Sequence, residues 1–235
     1  MRTIGLIGGM SWESTVSYYQ SINRQIKQRL GGLHSAKIIL HSVDFAQIEQ
    51  LQHQHRWPEL AEILAEAAQG LEKAGAECVV ICTNTMHKVA DIVQQATSIP
   101  LLHIADATAK SLVADEIQKV GLLGTRFTME QEFYRQRLED KFAIEVLIPE
   151  QSEREIVHRV IYEELCLGKI KTSSRNHYLN IMANLHQRGA QAVILGCTEI
   201  ALLISQMDTN IPLYNTTDIH ALAAVDFALK NSLQS

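Results

Sequence analysis

Gly75-Ala76-Glu77-Cys78-Val79-Val80-Ile81-Cys82-Thr83 returns later in the chain as Gly189-Ala190-Gln191-Ala192-Val193-Ile194-Leu195-Gly196-Cys197-Thr198. Each copy opens on Gly-Ala, runs through apolar residues without polar alternation, and stops on small polar ones. Such a run reads as a strand buried on both faces, the pattern of a parallel sheet flanked by helices. Two more pairs follow the same order. Arg2-Thr3-Ile4-Gly5-Leu6-Ile7-Gly8-Gly9 resembles Lys119-Val120-Gly121-Leu122-Leu123-Gly124-Thr125. Ser98-Ile99-Pro100-Leu101 matches Asn210-Ile211-Pro212-Leu213, with Asp106 and Asp218 in step behind them. Matches in one order predict a duplicated α/β architecture. The expectation is two similar pseudosymmetric lobes, each a parallel sheet flanked by helices, with the active site in the cleft between them. Ligands in open α/β sheets bind outside the carboxyl ends of the strands. The lobes are expected at residues 1–97 plus 209–235, and at residues 98–208.

Working outward, further apolar runs at Thr3–Ile7, Lys37–His41, Lys119–Leu123 and Ala143–Ile148 predict strands. Amphipathic stretches at Pro58–Ala74 and Ser152–Gly168 predict helices between them. Pro58 suits a first helical turn and Gly75 a C-terminal stop. The alternation is that of an α/β fold.

Composition narrows the function classes. With 235 residues, 46% of them hydrophobic and 20% charged, the chain is globular rather than disordered. Lys and Arg number 21 against 26 Asp and Glu, so no basic excess exists to track a nucleic-acid backbone. No apolar run is long enough to span a bilayer, so no membrane partner is expected. The N-terminal apolar stretch is too short and too glycine-rich for a signal peptide. A cytoplasmic location is therefore expected, and Cys78, Cys82, Cys166 and Cys197 are expected to remain reduced. Their spacing offers no CxxC pair. Gly5-Leu6-Ile7-Gly8-Gly9 lacks the dinucleotide-binding spacing, and His53-x-His55 reads as solvated.

The two strand ends carry the chemistry. Cys82-Thr83-Asn84-Thr85-Met86-His87 and Gly196-Cys197-Thr198-Glu199 each place small polar residues where a helix should start. Backbone amides there can hold a carboxylate, and a helix N-terminus favours a thiolate. Helix capping by Thr and Asn is the plain alternative. Asp106 and Asp218 are expected as helix caps, Tyr18 and Tyr19 as packing residues, and His87 one turn below the site.

With Gly8-Gly9-Met10, these motifs resemble the aspartate/glutamate racemase family over nearly the whole chain. The resemblance implies cofactor-independent racemisation of an amino acid by two groups on opposite faces of Cα, with no metal, and a homodimer. It implies Cys197 as one acid–base group and Thr83 as the other, where the family carries cysteine. Cys82, one residue earlier, is the alternative, although successive strand residues point to opposite faces. Met10, Gln52, Asn84, Thr85, Thr198 and Glu199 are implied as substrate-binding. The basic residue that grips an acidic side chain in relatives is replaced by Cys166 in Glu164-Leu165-Cys166-Leu167-Gly168. Gln52 is a neutral donor in a region that lacks the expected Arg. The implied function is racemisation of L-aspartate or L-glutamate. Alternatives are a broad-specificity or neutral amino-acid racemase, a single-thiol decarboxylase or isomerase of the same superfamily, and a two-lobe small-molecule binding protein. Loss of activity with retained ligand affinity in a Cys197→Ser variant separates enzyme from binder.

Overall fold

The computed structural model describes residues 1–230, which form two units. The first comprises Met1–Ile104 together with the segment that begins at His220, and the second comprises Ala105–Ile219. Both chain crossovers fall within helices.

The first unit contains β1 (Ile4–Gly8), α1 (Trp12–Leu30), β2 (Ile38–Ser42), α2 (Phe45–His53), α3 (Trp57–Lys73) and β3 (Cys78–Ile81). A 3₁₀ helix (Thr85–Val89) and α4 (Ala90–Gln95) follow, and α5 (Ile104–Ala114) begins at its end. The strands are parallel in the order β2-β1-β3. Ile4 lies opposite both Ile38 and Cys78. The helices form for local reasons. Ser11 caps α1 by accepting from the Ser14 N–H, and Pro58 stands in the first turn of α3. Leu60, Leu64, Ala67 and Leu71 recur at helical spacing on the buried face of α3.

β1 and β3 are buried on both faces, and their side chains divide by parity. Ile7, Val79 and Ile81 pack with α2 and α3. Ile4, Leu6, Cys78, Val80 and Cys82 pack with α1 and the returning C-terminal helix. Burial pushes the Cys78 thiol up to about 12, which marks it as a core residue.

The second unit contains β4 (Lys119–Gly124), α6 (Arg126–Glu130), α7 (Glu132–Phe142), β5 (Glu145–Leu147) and α8 (Gln151–Glu163). It continues with α9 (Thr172–Gln187), β6 (Ala192–Gly196), α10 (Ile200–Leu203), β7 (Leu213–Asn215) and the start of α11 (Thr216–Leu229). Its parallel order is β5-β4-β6-β7. Leu123, Val193 and Leu195 pack against α8 and α9.

Three elements differ from the sequence expectation. The strand at Ala143–Ile148 shrinks to β5 because Ala143, at φ 55°, is the left-handed cap of α7. The helix at Ser152–Gly168 ends at Glu163. Glu164 leaves helical geometry, its carboxylate is taken by Ser174 Oγ at 2.6 Å, and a 3₁₀ turn (Leu165–Leu167) closes on Gly168. The Asn210–Leu213 repeat continues into a true strand, β7. Its counterpart in the first unit makes only an isolated bridge, Val79 to Leu101. No helix among the described residues is long and apolar enough to cross a membrane.

Candidate functional site

The repeat register links the two strand ends. In the first unit Val79 pairs with Gly5 and donates its N–H to Pro100 O at 2.9 Å. In the second, Val193 pairs with Gly121 and donates to Pro212 O at 2.9 Å. Thr83 stands four residues beyond Val79, and Cys197 four beyond Val193. Thr83 and Cys197 are therefore register equivalents, and Cys82 is the equivalent of Gly196.

In the first unit, Cys82 is fully buried with the α1 side of the core, and desolvation pushes its thiol far above the ordinary range. At the equivalent position in the second unit, a Cβ on Gly196 would stand 2.8 Å from Leu123 O. That position faces inward in both units. Thr83, one residue on, is half-buried. Asn84 is the N-cap residue of the 3₁₀ helix and Thr85 its first residue, and both are buried. Side chains hold two carbonyls of this turn: Ser14 Oγ donates to Cys82 O at 2.7 Å, and His87 Nδ1 lies 2.8 Å from Thr83 O.

The glycine-rich turn after β1 lies beside this strand end, since the Cys82 N–H donates to Ile7 O at 2.9 Å. Gly9 has φ +90°, and an added Cβ would overlap the Val43 carbonyl, so only glycine fits there. Met10 is buried in the same apolar cluster as Met86. Gln52, on α2, is also buried, and its amide donates to Met86 Sδ at 3.1 Å. A thioether is a weak acceptor, so this amide can exchange it for a substrate oxygen at little cost.

In the second unit, Cys197 is half-buried against the α8–α9 cluster, followed by the buried Thr198 and Glu199. Its thiol donates to Glu199 Oε2 at 2.9 Å. The sequence reading expects a helix N-terminus to favour the thiolate. The structure reverses that. α10 spans only Ile200–Leu203, so the dipole behind the thiol is small. Burial, then the charges of Glu199 and Cys166, push the Cys197 thiol well above its ordinary value. The resting group is a protonated thiol hydrogen-bonded to a carboxylate.

The remaining candidates are placed as follows. Cys166 is half-buried against the same cluster as Cys197, in the turn anchored by Glu164, which also pairs with Lys171 at 3.1 Å. His53 is exposed and pairs with Glu49 at 2.9 Å. Asp106 and Asp218 lie inside the first turns of α5 and α11 rather than at the cap. Asp106 is drawn to Arg137 at 2.5 Å, and Asn215 accepts the Thr217 N–H in place of Asp218. Tyr18 is buried, whereas Tyr19 is 55% exposed and does not pack. No group of three His, Cys, Asp or Glu among the described residues is placed to hold a metal ion.

Sequence reasoning misses the carbonyl anchors. Ser14 is distant in sequence from Cys82, and nothing local marks the pair. His87 at the fourth residue after Thr83 is a visible signal, but its second partner, the Ile104 N–H, is not.

One prediction tests the facing of this strand end. Cys82→Ser sets a hydroxyl into an apolar core and is expected to cost about 1–3 kcal/mol of stability. Activity per folded molecule should stay within about threefold of wild type, far from the 10²–10⁴-fold scale of a lost acid–base group. Chemical denaturation and an activity assay on the same preparation check both. Loss of activity without loss of stability would place Cys82 at the substrate.

Comparison with known proteins shows consistent similarity. Residues 7–224 match the family described as Asp/Glu/hydantoin racemase. A Yersinia pestis structure, described as a candidate Asp/Glu racemase, is 57% identical over 97% of this chain and 100% of its own, with a TM-score of 0.92. An aspartate racemase homologue from Pyrococcus horikoshii is 34% identical over 97% of this chain and 99% of its own, with a TM-score of 0.85. The broad-specificity amino-acid racemase RacX of Bacillus subtilis is 21% identical over 94% of this chain and 96% of its own length.

Proposed function

Because the chain belongs to the Asp/Glu/hydantoin racemase family, we propose that it racemises an amino acid without a cofactor, with L-aspartate or L-glutamate as substrate. Cys197 serves one face of Cα and Thr83 the other. The observation that carries this reading is the shared register of Thr83 and Cys197, with Cys82 turned into the core.

The proton cycle closes with these two groups, Glu199 and water. Cys197 must first lose its proton, and the Glu199 carboxylate at 2.9 Å is placed to accept it. The substrate ammonium offsets the negative charge that otherwise holds the thiol protonated. The thiolate then takes the Cα proton, the C–H bond breaks, and its electron pair stays on Cα. The Thr83 hydroxyl delivers its proton to the opposite face, and the resulting alkoxide recovers, by way of water, the proton held on Glu199, which returns every group to its starting state. Asn84, Thr85 and Thr198 hold the α-carboxylate through amides and side chains, and Met10 forms part of the wall. Gln52 is the neutral donor for the side-chain carboxylate. Thr83 is the weak member of the pair, because a hydroxyl is a poor base.

A second reading, a broad-specificity or neutral amino-acid racemase, is favoured by Cys166 in the place where the family resemblance implies a basic grip. It is also favoured by the RacX similarity. Deuterium uptake at Cα in D2O, screened by mass over all proteinogenic amino acids, separates the two. Uptake confined to aspartate and glutamate is the expected result. Equal or faster uptake by neutral amino acids would replace the acidic substrate with the second reading. No uptake by any amino acid would leave the racemase proposal without support.

A further inference from the structure

We infer that His87 is a positioning residue that aims Thr83 through its backbone carbonyl while held in one neutral tautomer. This inference rests on the role proposed above for Thr83.

The 3₁₀ geometry after β3 creates the need. In an α-helix the His87 N–H would bond Thr83 O, four residues back. Here it turns to Asn84 O at 3.0 Å. The His87 ring takes over the Thr83 carbonyl instead, with Nδ1 at 2.8 Å. The other ring nitrogen, Nε2, accepts the Ile104 N–H at 3.2 Å. A carbonyl can only accept and an amide N–H can only donate. The ring therefore carries its proton on Nδ1 and none on Nε2.

The surroundings agree with a neutral ring. His87 is buried, and its ring centroid lies 4.7 Å from that of His103 and 5.5 Å from that of His220. His220 is itself fixed: Nε2 donates to Leu102 O at 2.6 Å and Nδ1 accepts from the Tyr18 hydroxyl at 2.8 Å. Burial holds its pKa down to about 4, so it brings no charge to its neighbour at neutral pH.

Two consequences follow. With both nitrogens committed to backbone, His87 has no proton or lone pair for a substrate. It therefore acts through Thr83. The carbonyl of Cys82 is held by Ser14 and that of Thr83 by His87, so the two peptides that flank the Thr83 Cα are each tied down. Those peptides set the Cα–Cβ direction, and with it the aim of the hydroxyl. Acid–base catalysis is sensitive to misplacement on the ångström scale.

The test compares full-length wild type with His87→Asn, His87→Gln and His87→Leu. Asn keeps a donor near the Nδ1 position, Gln reaches only the Nε2 side, and Leu offers neither. Each is scored by the thermal midpoint and by two rates on the L substrate: deuterium uptake into recovered L, which needs Cys197, and formation of D, which needs Thr83 as well. His87→Leu and His87→Gln are expected to lower D formation relative to uptake by about tenfold or more. His87→Asn is expected to restore the ratio, although all three lose thermal stability. A ratio unchanged in His87→Leu, or one that falls equally in all three variants, would overturn the positioning role. Independently of activity, ¹⁵N NMR of the wild-type imidazole should show the neutral Nδ1–H form. The opposite tautomer, or an imidazolium at neutral pH, would overturn the hold on Thr83. Wild type inert toward every amino acid would remove the racemase reading and the catalytic purpose of the hold, while the tautomer still decides the hold itself.

Discussion

Cys197→Ser is expected to remove Cα proton exchange by about 10²–10⁴-fold, the range typical of a positioned acid–base group. Serine keeps the shape and can still donate to Glu199 Oε2, as the thiol does at 2.9 Å. Folding should therefore be preserved, and a matched thermal midpoint checks that. What changes is acidity. Burial and the Glu199 charge already push the thiol well above its ordinary value, and a hydroxyl at the same place is far harder to ionise. Exchange of the L substrate in D2O, followed by mass, measures the loss. A variant within about threefold of wild type, against the range expected for such a group, would show that Cys197 does not touch the proton. The same variant, if it binds substrate normally, separates an enzyme from a binding protein.

Thr83→Cys is expected to raise the rate of inversion, by up to the same 10²–10⁴-fold range. The substitution installs a thiol at the register equivalent of Cys197. Thr83 is half-buried just past a strand end, so a side chain of similar size can take its place without displacing buried neighbours. Chiral chromatography in both directions measures the gain. A Thr83→Cys protein no faster than wild type in either direction would count against Thr83 facing the substrate carbon.

The fold was readable because strands buried on both faces leave an unmistakable trace: apolar runs ended by small residues, twice over. Where neighbours far along the chain decide, the trace fails. β7 is three residues long and follows Pro212, so it offers no run to recognise. The helix ending at Glu163 keeps its apolar spacing through Leu165, but Glu164 leaves helical geometry with its carboxylate held by Ser174 and Lys171. The candidate site divides in the same way. Parity continued past the end of β3 leads one to expect Cys82 and Thr83 on opposite sides, and the core clusters place Cys82 inside. The acidity of Cys197 was not readable. It depends first on burial in the fold and then on a turn that sets Glu199 against the thiol. The His87 tautomer likewise needs Ile104, which no local pattern connects to it.

The proposed pair is unequal, with Cys197 the strong member and Thr83 the weak one. Thermodynamics limits how this can show. Enantiomers have equal free energy in water, so a racemase must have equal kcat/KM in its two directions, both of which cross the same highest barrier. Inequality can appear as unequal kcat with correspondingly unequal KM, or as exchange without inversion. In the second case the carbanion regains a solvent-derived proton from Cys197 more often than one from Thr83. The decisive measurement follows one sample of wild-type enzyme with L substrate in D2O, by mass for deuterium in the recovered L enantiomer and by chiral chromatography for D product. Deuterium is expected to enter recovered L faster than D appears. Recovered L that stays free of deuterium while D accumulates, each deuterium uptake coupled to an inversion, would contradict it.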